Sequence, residues 1–108
     1  MNTPLNWAGR AVPEKEFQRT CIAALKAFGW RVYHDRVAWR SDPGWLDLTC
    51  VHPVQQRTLF IELKTEKGNV SPAQQGWLDV HAAAGNSAHV FRPSQWEEFV
   101  ALISPKRA

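Results

Sequence analysis

Three charged residues in the middle of the chain have the types and spacing of a hydrolytic site. Glu62 and Lys64 lie two positions apart in segment 59–64 (LFIELK), which is rich in strand-forming residues. Side chains alternate along a strand, so both would project from one face, roughly 6–7 Å apart. The carboxylate can bind a metal ion, and the ammonium group can bind a phosphate or an attacking water. Taken alone, such a pair is more often a solvated ion pair.

Asp47 makes a functional site more plausible than a solvated ion pair. It lies between Leu46 and Leu48, in a segment predicted to form the strand beside Glu62. Because aspartate is depleted in strand interiors, an acid at this position indicates a function that offsets a structural cost. Two carboxylates on adjacent strands can share one hard cation. The alternative is an aspartate near a turn that hydrogen-bonds its own main chain.

Glu14 and Gln18 are candidates on the first predicted helix. Glu14 falls on the apolar stripe that includes Phe17 and Cys21, where a carboxylate is tolerable if it reaches a metal or a cation. For Glu14 alone, complementing the helix dipole is the favoured alternative. Gln18, one turn further, could hydrogen-bond a phosphate or water.

Gln74 and Lys67 are candidates near the start of the second predicted helix. Gln74 can close a capping box with Ser71 or support the site, and the two roles have equal weight. Lys67 and Gly68 would bring a cation and free amides close to a helix N-terminus, which favours a phosphate contact. A solvated loop lysine is the commoner case.

A polar loop over residues 35–44 combines cations with an aromatic residue. Arg36 and Arg40 are suited to gripping a nucleic-acid backbone, and Trp39 to stacking on an unpaired base. His34, just before this loop, could be a base, a ligand or a satisfied strand histidine, of which the last is commonest. The loop closes with the turn signal Asp-Pro-Gly at 42–44.

The elements that must position these residues follow the order helix, three strands, helix, strand, helix. Periodicity and breaker residues predict helices from Pro13 to Gly29, from Ser71 to about Ala84, and from Ser94, with Glu97 completing a capping box, to about Ser104. Strands are predicted at 30–34, 45–51, 58–64 and 88–91. This order predicts an α/β domain with a mixed central sheet flanked by helices.

The composition permits a nucleic-acid partner without requiring one. A chain of 108 residues with a net charge of +3 has room for one domain, and its charge is only mildly basic. Cys21 and Cys50 each lie in an apolar run, which predicts buried thiols and a reducing compartment. No apolar run is long enough for a membrane span, and the N-terminus lacks the apolar core of a signal peptide. We therefore expect a cytoplasmic protein, with no membrane partner.

The ordered motifs resemble the VRR-NUC domain, the virus-type replication-repair nuclease branch of the PD-(D/E)xK superfamily. The resemblance spans about residues 13–103, and one departure is Leu46, where the family usually has proline. Proline contributes backbone shape and no ligand, so we expect activity to survive. The matching pieces are Glu14-x-x-x-Gln18, Gly44-x-x-Asp47-Leu48, the run 62–68 (ELKTEKG) and Ser71-Pro72-x-Gln74.

This resemblance implies a restriction-endonuclease-like fold and a nuclease dependent on Mg²⁺ or Mn²⁺. It implies that Glu14, Asp47 and Glu62 hold the metal, with the Leu63 carbonyl as a further ligand. Lys64 would orient or activate the water, and Gln18 and Gln74 match polar positions near the site. The implied organisation is a flexible arm at 1–12, one nuclease domain at 13–104 and a basic tail at 105–108.

The substrate implied by analogy is branched DNA. Small stand-alone members resemble this chain in size, and they act as homodimers on four-way (Holliday) junctions in bacterial or phage-infected cells. Two-fold symmetry would present two sites to two strands. The alternatives are a nuclease of flaps, nicks or plain duplex, a non-catalytic DNA-binding module, and a plain interaction domain.

Overall fold

The computed structural model describes residues 3–35 and 42–105 of the chain. The predicted order of helix, three strands, helix, strand and helix is confirmed, and two short 3-10 helices are added to it. The elements are a 3-10 helix Leu5–Trp7, α1 (Glu14–Ala27), β1 (Arg31–His34), β2 (Leu48–His52), β3 (Arg57–Leu63), α2 (Pro72–Ala83), β4 (Ser87–Phe91), a 3-10 helix Pro93–Gln95 and α3 (Trp96–Ile103).

The four strands form one mixed sheet in the order β1-β2-β3-β4. The first two pairings are antiparallel, and β3 pairs with β4 in parallel after the α2 crossover. Leu48 is the register partner of both His34 and Ile61. Because β2 and β3 run in opposite directions, Asp47, just before Leu48, and Glu62, just after Ile61, come to the same end of the sheet.

The main core lies between one sheet face and the helices α1 and α3. Burial alternates along β2, as expected for a strand with one face packed inward, and along β3 as far as Ile61, after which Glu62 and Leu63 are both buried. The Trp30 side chain links the residue before β1 to the end of α3, since its Nε1 donates to the Ile103 carbonyl at 2.8 Å. The largest fully buried apolar side chains include Phe17, Leu25, Leu48, Leu59, Ile61, Leu63, Phe99 and Ile103.

The two predicted capping boxes have different outcomes. The box at α2 is confirmed: Ser71 Oγ accepts the Gln74 N–H at 3.1 Å, and Gln74 Oε1 accepts the Ser71 N–H at 2.9 Å. The box predicted from Ser94 to Glu97 is wrong. A 3-10 helix intervenes, α3 begins at Trp96, and the Ser94 N–H donates to the Glu66 carboxylate instead.

Strand β2 begins three residues later than predicted. The sequence places its start at Trp45, but pairing with the neighbouring strands begins at Leu48. Two N–H groups before Leu48 bond elsewhere: the Trp45 N–H donates to the Asp42 carbonyl within the turn, and the Asp47 N–H donates to the Glu62 carboxylate rather than to a main-chain carbonyl of β3. Asp47 therefore lies at the entrance to the strand, where an acidic residue carries less cost than in its interior.

The described part of the predicted arm packs onto the domain. Trp7 and Val12 are each only 5% exposed and belong to the core. Trp7 contacts the Phe17 and Trp96 rings edge-on, and its Nε1 donates to Glu16 at 2.9 Å. The division into arm, domain and tail stays a prediction, and residues 106–108 of the tail lie outside the described residues.

Both cysteines are buried free thiols, as predicted. Burial raises the pKa of the Cys50 thiol to about 12, and burial together with the neighbouring Cys50 raises the pKa of Cys21 further. The thiols are therefore inert core groups. In residues 3–35 and 42–105, no helix is both long and apolar enough to cross a membrane.

Candidate active site

Asp47 and Glu62 converge at the ends of adjacent strands. The Asp47 N–H donates to Glu62 Oε1 at 3.2 Å, and Asp47 Oδ2 accepts the Leu63 N–H at 2.9 Å. The Glu62 carboxylate is thus held by the N–H of Asp47, and the Asp47 carboxylate by the N–H of Leu63, the residue after Glu62. The arrangement holds the two carboxylates side by side on rigid elements of the fold.

Lys64 extends the same cluster by one charge. Its N–H donates to the Phe91 carbonyl at 3.0 Å, so the main chain continues along β4 beyond the end of β3. The alternation predicted from the sequence is preserved, and Lys64 Nζ lies 3.5 Å from Glu62 Oε2. The Lys64 side chain is 16% exposed, so it is mostly buried beside Glu62.

The electrostatics of Glu62 are those of a crowded acid. Its pKa is raised to about 7, first by burial and next by the Asp47 carboxylate, while Lys64 acts in the opposite direction. Glu62 is 2% exposed. The ionised form therefore lacks sufficient positive charge nearby, and a cation bound between the two acids would supply it.

Gln74 combines the two roles that the sequence left open. Its carbonyl oxygen closes the capping box of α2, and its Nε2 donates to Glu62 Oε2 at 2.9 Å. The start of α2 is therefore linked directly to the buried carboxylate. This contact orients the Glu62 side chain.

An aromatic cluster, which sequence reasoning missed, anchors the segment before Asp47 to α2. The Trp45 ring contacts Trp77 edge-on at 4.7 Å and lies 6.1 Å from Phe60, and His81 stacks on Phe60 at 4.1 Å. These four side chains cover the sheet face opposite the core. Their only sequence signal is the abundance of tryptophan.

Gly44 allows this segment to approach α2 closely. Its φ is +82°, and a Cβ atom would lie 2.3 Å from the Ala73 carbonyl carbon. Nearby, Trp77 Nε1 donates to the Pro43 carbonyl at 3.1 Å. Only glycine satisfies both the backbone conformation and the contact, so the predicted turn at 42–44 also positions the chain that leads to Asp47.

Arg92, also missed by sequence reasoning, fixes the loop after Lys64. Its Nη1 donates to the Thr65 and Gly68 carbonyls, at 2.6 Å each, and to the Glu66 carbonyl at 3.2 Å. Three main-chain acceptors on one guanidinium hold the loop in a single shape. No local pattern marks this arginine, because its partners lie more than 20 residues away in the sequence.

Glu14 does not join the carboxylate pair in this structure. It is the first residue of α1 and is exposed. Within residues 3–35 and 42–105, no three acidic, histidine or cysteine residues are grouped so that they could hold a metal. Leu63 is buried, and its N–H serves Asp47. The metal-binding roles of Glu14 and of the Leu63 carbonyl stay predictions.

Two surface hollows contain the other described candidates. Gln18 and His34 line one of about 340 Å³ beside α1, and Lys67 lines another of about 350 Å³ between Pro13 and the loop after β3. Neither Gln18 nor Lys67 contacts the acidic pair through a hydrogen bond in the part of the chain described. Arg36, Trp39 and Arg40 lie outside the described residues.

Two carboxylates and a lysine at the ends of neighbouring strands of a mixed sheet are the arrangement of a nuclease domain of the PD-(D/E)xK type. The model of one family, the VRR-NUC domain, matches residues 40–95, just over half of the chain. The chain belongs to the VRR-NUC family, which confirms the resemblance in its sequence. No curated protein matches it.

Two solved structures share the fold. A structure described as a VRR_NUC domain has a TM-score of 0.68 and 20% identity, and the match covers 82% of this chain and 94% of the other. A second, described as a VRR_NUC domain protein, has a TM-score of 0.58 and 18% identity, covering 86% and 92%. These likenesses confirm the predicted α/β architecture.

Proposed function

We propose that this protein is a metal-dependent DNA endonuclease that hydrolyses phosphodiester bonds at the site formed by Asp47, Glu62 and Lys64. The observation that carries the proposal is the convergence of two carboxylates with an ammonium group 3.5 Å from one of them. Placing two carboxylates together in a buried position destabilises the fold when no cation binds them. A cation bound between them would offset their repulsion, which explains why the two acids lie so close.

The donor set fits Mg²⁺ or Mn²⁺. Hard divalent cations prefer carboxylate and carbonyl oxygens, and Asp47, Glu62 and the Leu63 carbonyl are the groups that would hold one here. A bound cation would stabilise the negative charge that develops on the scissile phosphate. The raised pKa of Glu62 supports this assignment, because it reflects burial and the neighbouring Asp47 carboxylate, which Lys64 offsets only in part.

Glu14 is the third acid in this proposal. Its long side chain is exposed in the first turn of α1, so it can reorient without disturbing the core. Glu14→Gln should weaken Mn²⁺ binding roughly tenfold, by analogy with the loss of one supporting ligand. Glu97→Gln, which changes an exposed glutamate in the first turn of α3, is the matched control and should leave the affinity unchanged. Equal affinities for the Glu14 variant and wild type would remove Glu14 from the site.

Lys64 and Gln74 would have the remaining roles at the site, one toward the substrate and one toward Glu62. Lys64 would bind the phosphate or orient the attacking water and stabilise developing negative charge. Gln74 would hold Glu62 in position through its amide nitrogen, 2.9 Å from Oε2. Because these groups lie on a strand end and a helix start, little reorganisation is needed on substrate binding.

The substrate in this proposal is branched DNA, cut by a homodimer whose two-fold axis presents two sites to two strands. The support is the family resemblance and the small size of the domain. Sedimentation at micromolar concentration should give a dimer. A monomer that still cuts branched DNA would remove the dimer and leave the nuclease assignment intact.

A cleavage panel tests the activity. Labelled four-way junction, flap, nicked duplex, duplex and single strand are incubated with Mg²⁺, with Mn²⁺ and with chelator. We expect metal-dependent cutting, fastest on the junction. Salt-dependent DNA binding without cutting would instead indicate a non-catalytic module. The absence of both would reject a DNA function altogether.

A further inference from the structure

Two cations on α1, Lys15 and Arg19, are singled out neither by the motifs nor by the family match, which covers residues 40–95. Lys15, Gln18, Arg19 and Ile22 follow spacings of three and four, so they occupy one face of the helix. With His34 they line the hollow of about 340 Å³. Lys15 and Arg19 are exposed, and within residues 3–35 and 42–105 neither is in an ion pair.

The position of Lys15 is electrostatically unfavourable for the helix itself. It lies in the first turn of α1, where the helix dipole favours acidic residues and disfavours cations. Of the two acidic residues in this turn, Glu16 is paired with Arg10 and Trp7, and Glu14, directly before Lys15, is exposed. A cation in the first turn of a helix opposes the helix dipole, and an anion bound beside it would relieve that conflict.

The hollow adjoins the end of the sheet that bears the acids. His34 is the register partner of Leu48, the residue after Asp47, and the next N–H, from Asp35, donates to the Asp47 carbonyl at 2.9 Å. The second hollow, which Lys67 lines, lies beyond Pro13 on the loop that follows Lys64. The two hollows thus adjoin the N-terminal part of α1, one lined by Lys15 and Arg19 and the other by Lys67 together with Glu66.

We infer that Lys15 and Arg19 bind the DNA phosphate next to the one that is cut. The deoxyribose attached to this phosphate would pack against Ile22. This inference rests on the proposed nuclease function and assigns a binding site to it. The apolar floor and cationic rim match the alternating chemistry of a sugar–phosphate backbone. Ile22 is partly buried against the core, which gives the site a fixed base.

The test compares the double variant Lys15→Ala/Arg19→Ala with Lys26→Ala/Arg31→Ala. The control also removes one exposed lysine and one exposed arginine, from the far end of α1 and the start of β1. Binding to a labelled four-way junction is measured with Ca²⁺ over a range of salt. The first variant should bind roughly 10- to 100-fold more weakly, with the salt slope reduced by about 1, as for one lost phosphate contact.

The kinetic readout separates binding from chemistry. The Lys15/Arg19 variant should raise KM and leave kcat within about twofold, because the contact is made equally in the ground and transition states. A wild-type slope and affinity for this variant, or equal losses in the control, would overturn the inference while the nuclease assignment stands. If wild-type protein neither binds nor cuts DNA, the proposed function fails first. Unfolding midpoints of all three proteins exclude misfolding as the cause.

Discussion

Asp47 and Glu62 hold one another in place through reciprocal main-chain contacts. The N–H of Asp47 donates to Glu62 Oε1 at 3.2 Å, and the N–H that follows Glu62 donates to Asp47 Oδ2 at 2.9 Å. Both acids are thereby fixed before any ligand arrives. The sheet therefore pre-organises the candidate site, and the repulsion between the two carboxylates lowers the stability of the folded protein.

Replacing Lys64 should separate catalysis from folding. Lys64→Ala removes the ammonium group near Glu62 Oε2, and the cleavage rate should fall ~100-fold or more, as for other lost charge-stabilising groups. The Lys64 N–H bond to Phe91 is retained, so the fold should persist. Lys26→Ala, which changes an exposed lysine on α1, is the control and should cut normally. Wild-type rates for Lys64→Ala would exclude the residue from the reaction.

The pKa of Glu62 predicts how stability varies with pH in metal-free protein. Its folded-state pKa, about 7, lies above the ordinary 4.5, so the folded state holds the proton more tightly. Its contribution to stability is therefore complete below the ordinary pKa and is lost as the pH rises through the folded value.

Glu62→Gln should remove this dependence. In chelator, the variant should be more stable than wild type at about pH 8 by on the order of 2 kcal/mol, and the difference should vanish near about pH 4. His89, whose burial and neighbour Arg57 lower its pKa, is common to both proteins and cancels in the difference. Denaturant titrations give the two curves. A difference that does not change with pH would show that Glu62 titrates normally.

Gln74 should matter for stability as well as activity. Gln74→Ala removes the cap acceptor for Ser71 and the donor to Glu62, which should cost about 2 kcal/mol in the free energy of unfolding. Gln75→Ala removes only an exposed contact with Asp79 and should stay within ~0.5 kcal/mol. If the two variants melt alike, the bond from Gln74 to Glu62 does not contribute.

Alanine substitutions at Gly44 and Gly76 should change the stability of the protein in opposite directions. At Gly44 a Cβ would meet Ala73 at 2.3 Å in a backbone with φ +82°, so Gly44→Ala should lose ~2 kcal/mol or more and reduce activity. At Gly76, inside α2, a Cβ meets nothing within 4 Å. Gly76→Ala should therefore gain about 0.5–1 kcal/mol from helix propensity. Thermal unfolding of both variants decides, and a stable Gly44→Ala would mean that the turn does not anchor to α2.

The sequence predicted those features that depend on local periodicity. The order of elements, the Ser71–Gln74 capping box and the shared face of Glu62 and Lys64 follow from repeat spacing and side-chain alternation. The meeting of Asp47 with Glu62 required only that the second and third strands pair as an antiparallel hairpin. These features make up most of the fold and the centre of the candidate site.

Features that depend on distant partners could not be predicted in this way. Pairing between β2 and β3 stops short of Asp47, because the Asp47 N–H bonds a side chain 15 residues away. Arg92 donates hydrogen bonds to carbonyls of a loop that precedes it by more than 20 residues. The Ser94 N–H, which was expected to lie within a helix cap, donates to the Glu66 carboxylate. Each contact is set by tertiary packing, which has no local periodicity.

Single-turnover cleavage by Asp47→Asn tests the central claim most directly. Asparagine is isosteric and can still accept the Leu63 N–H, so the domain should fold and bind DNA while losing the charge that we propose holds the cation. With Mg²⁺ and the preferred DNA of the panel, we predict a rate ~1,000-fold below wild type. A folded Asp47→Asn protein that cuts within a few-fold of the wild-type rate would contradict the assignment of this site.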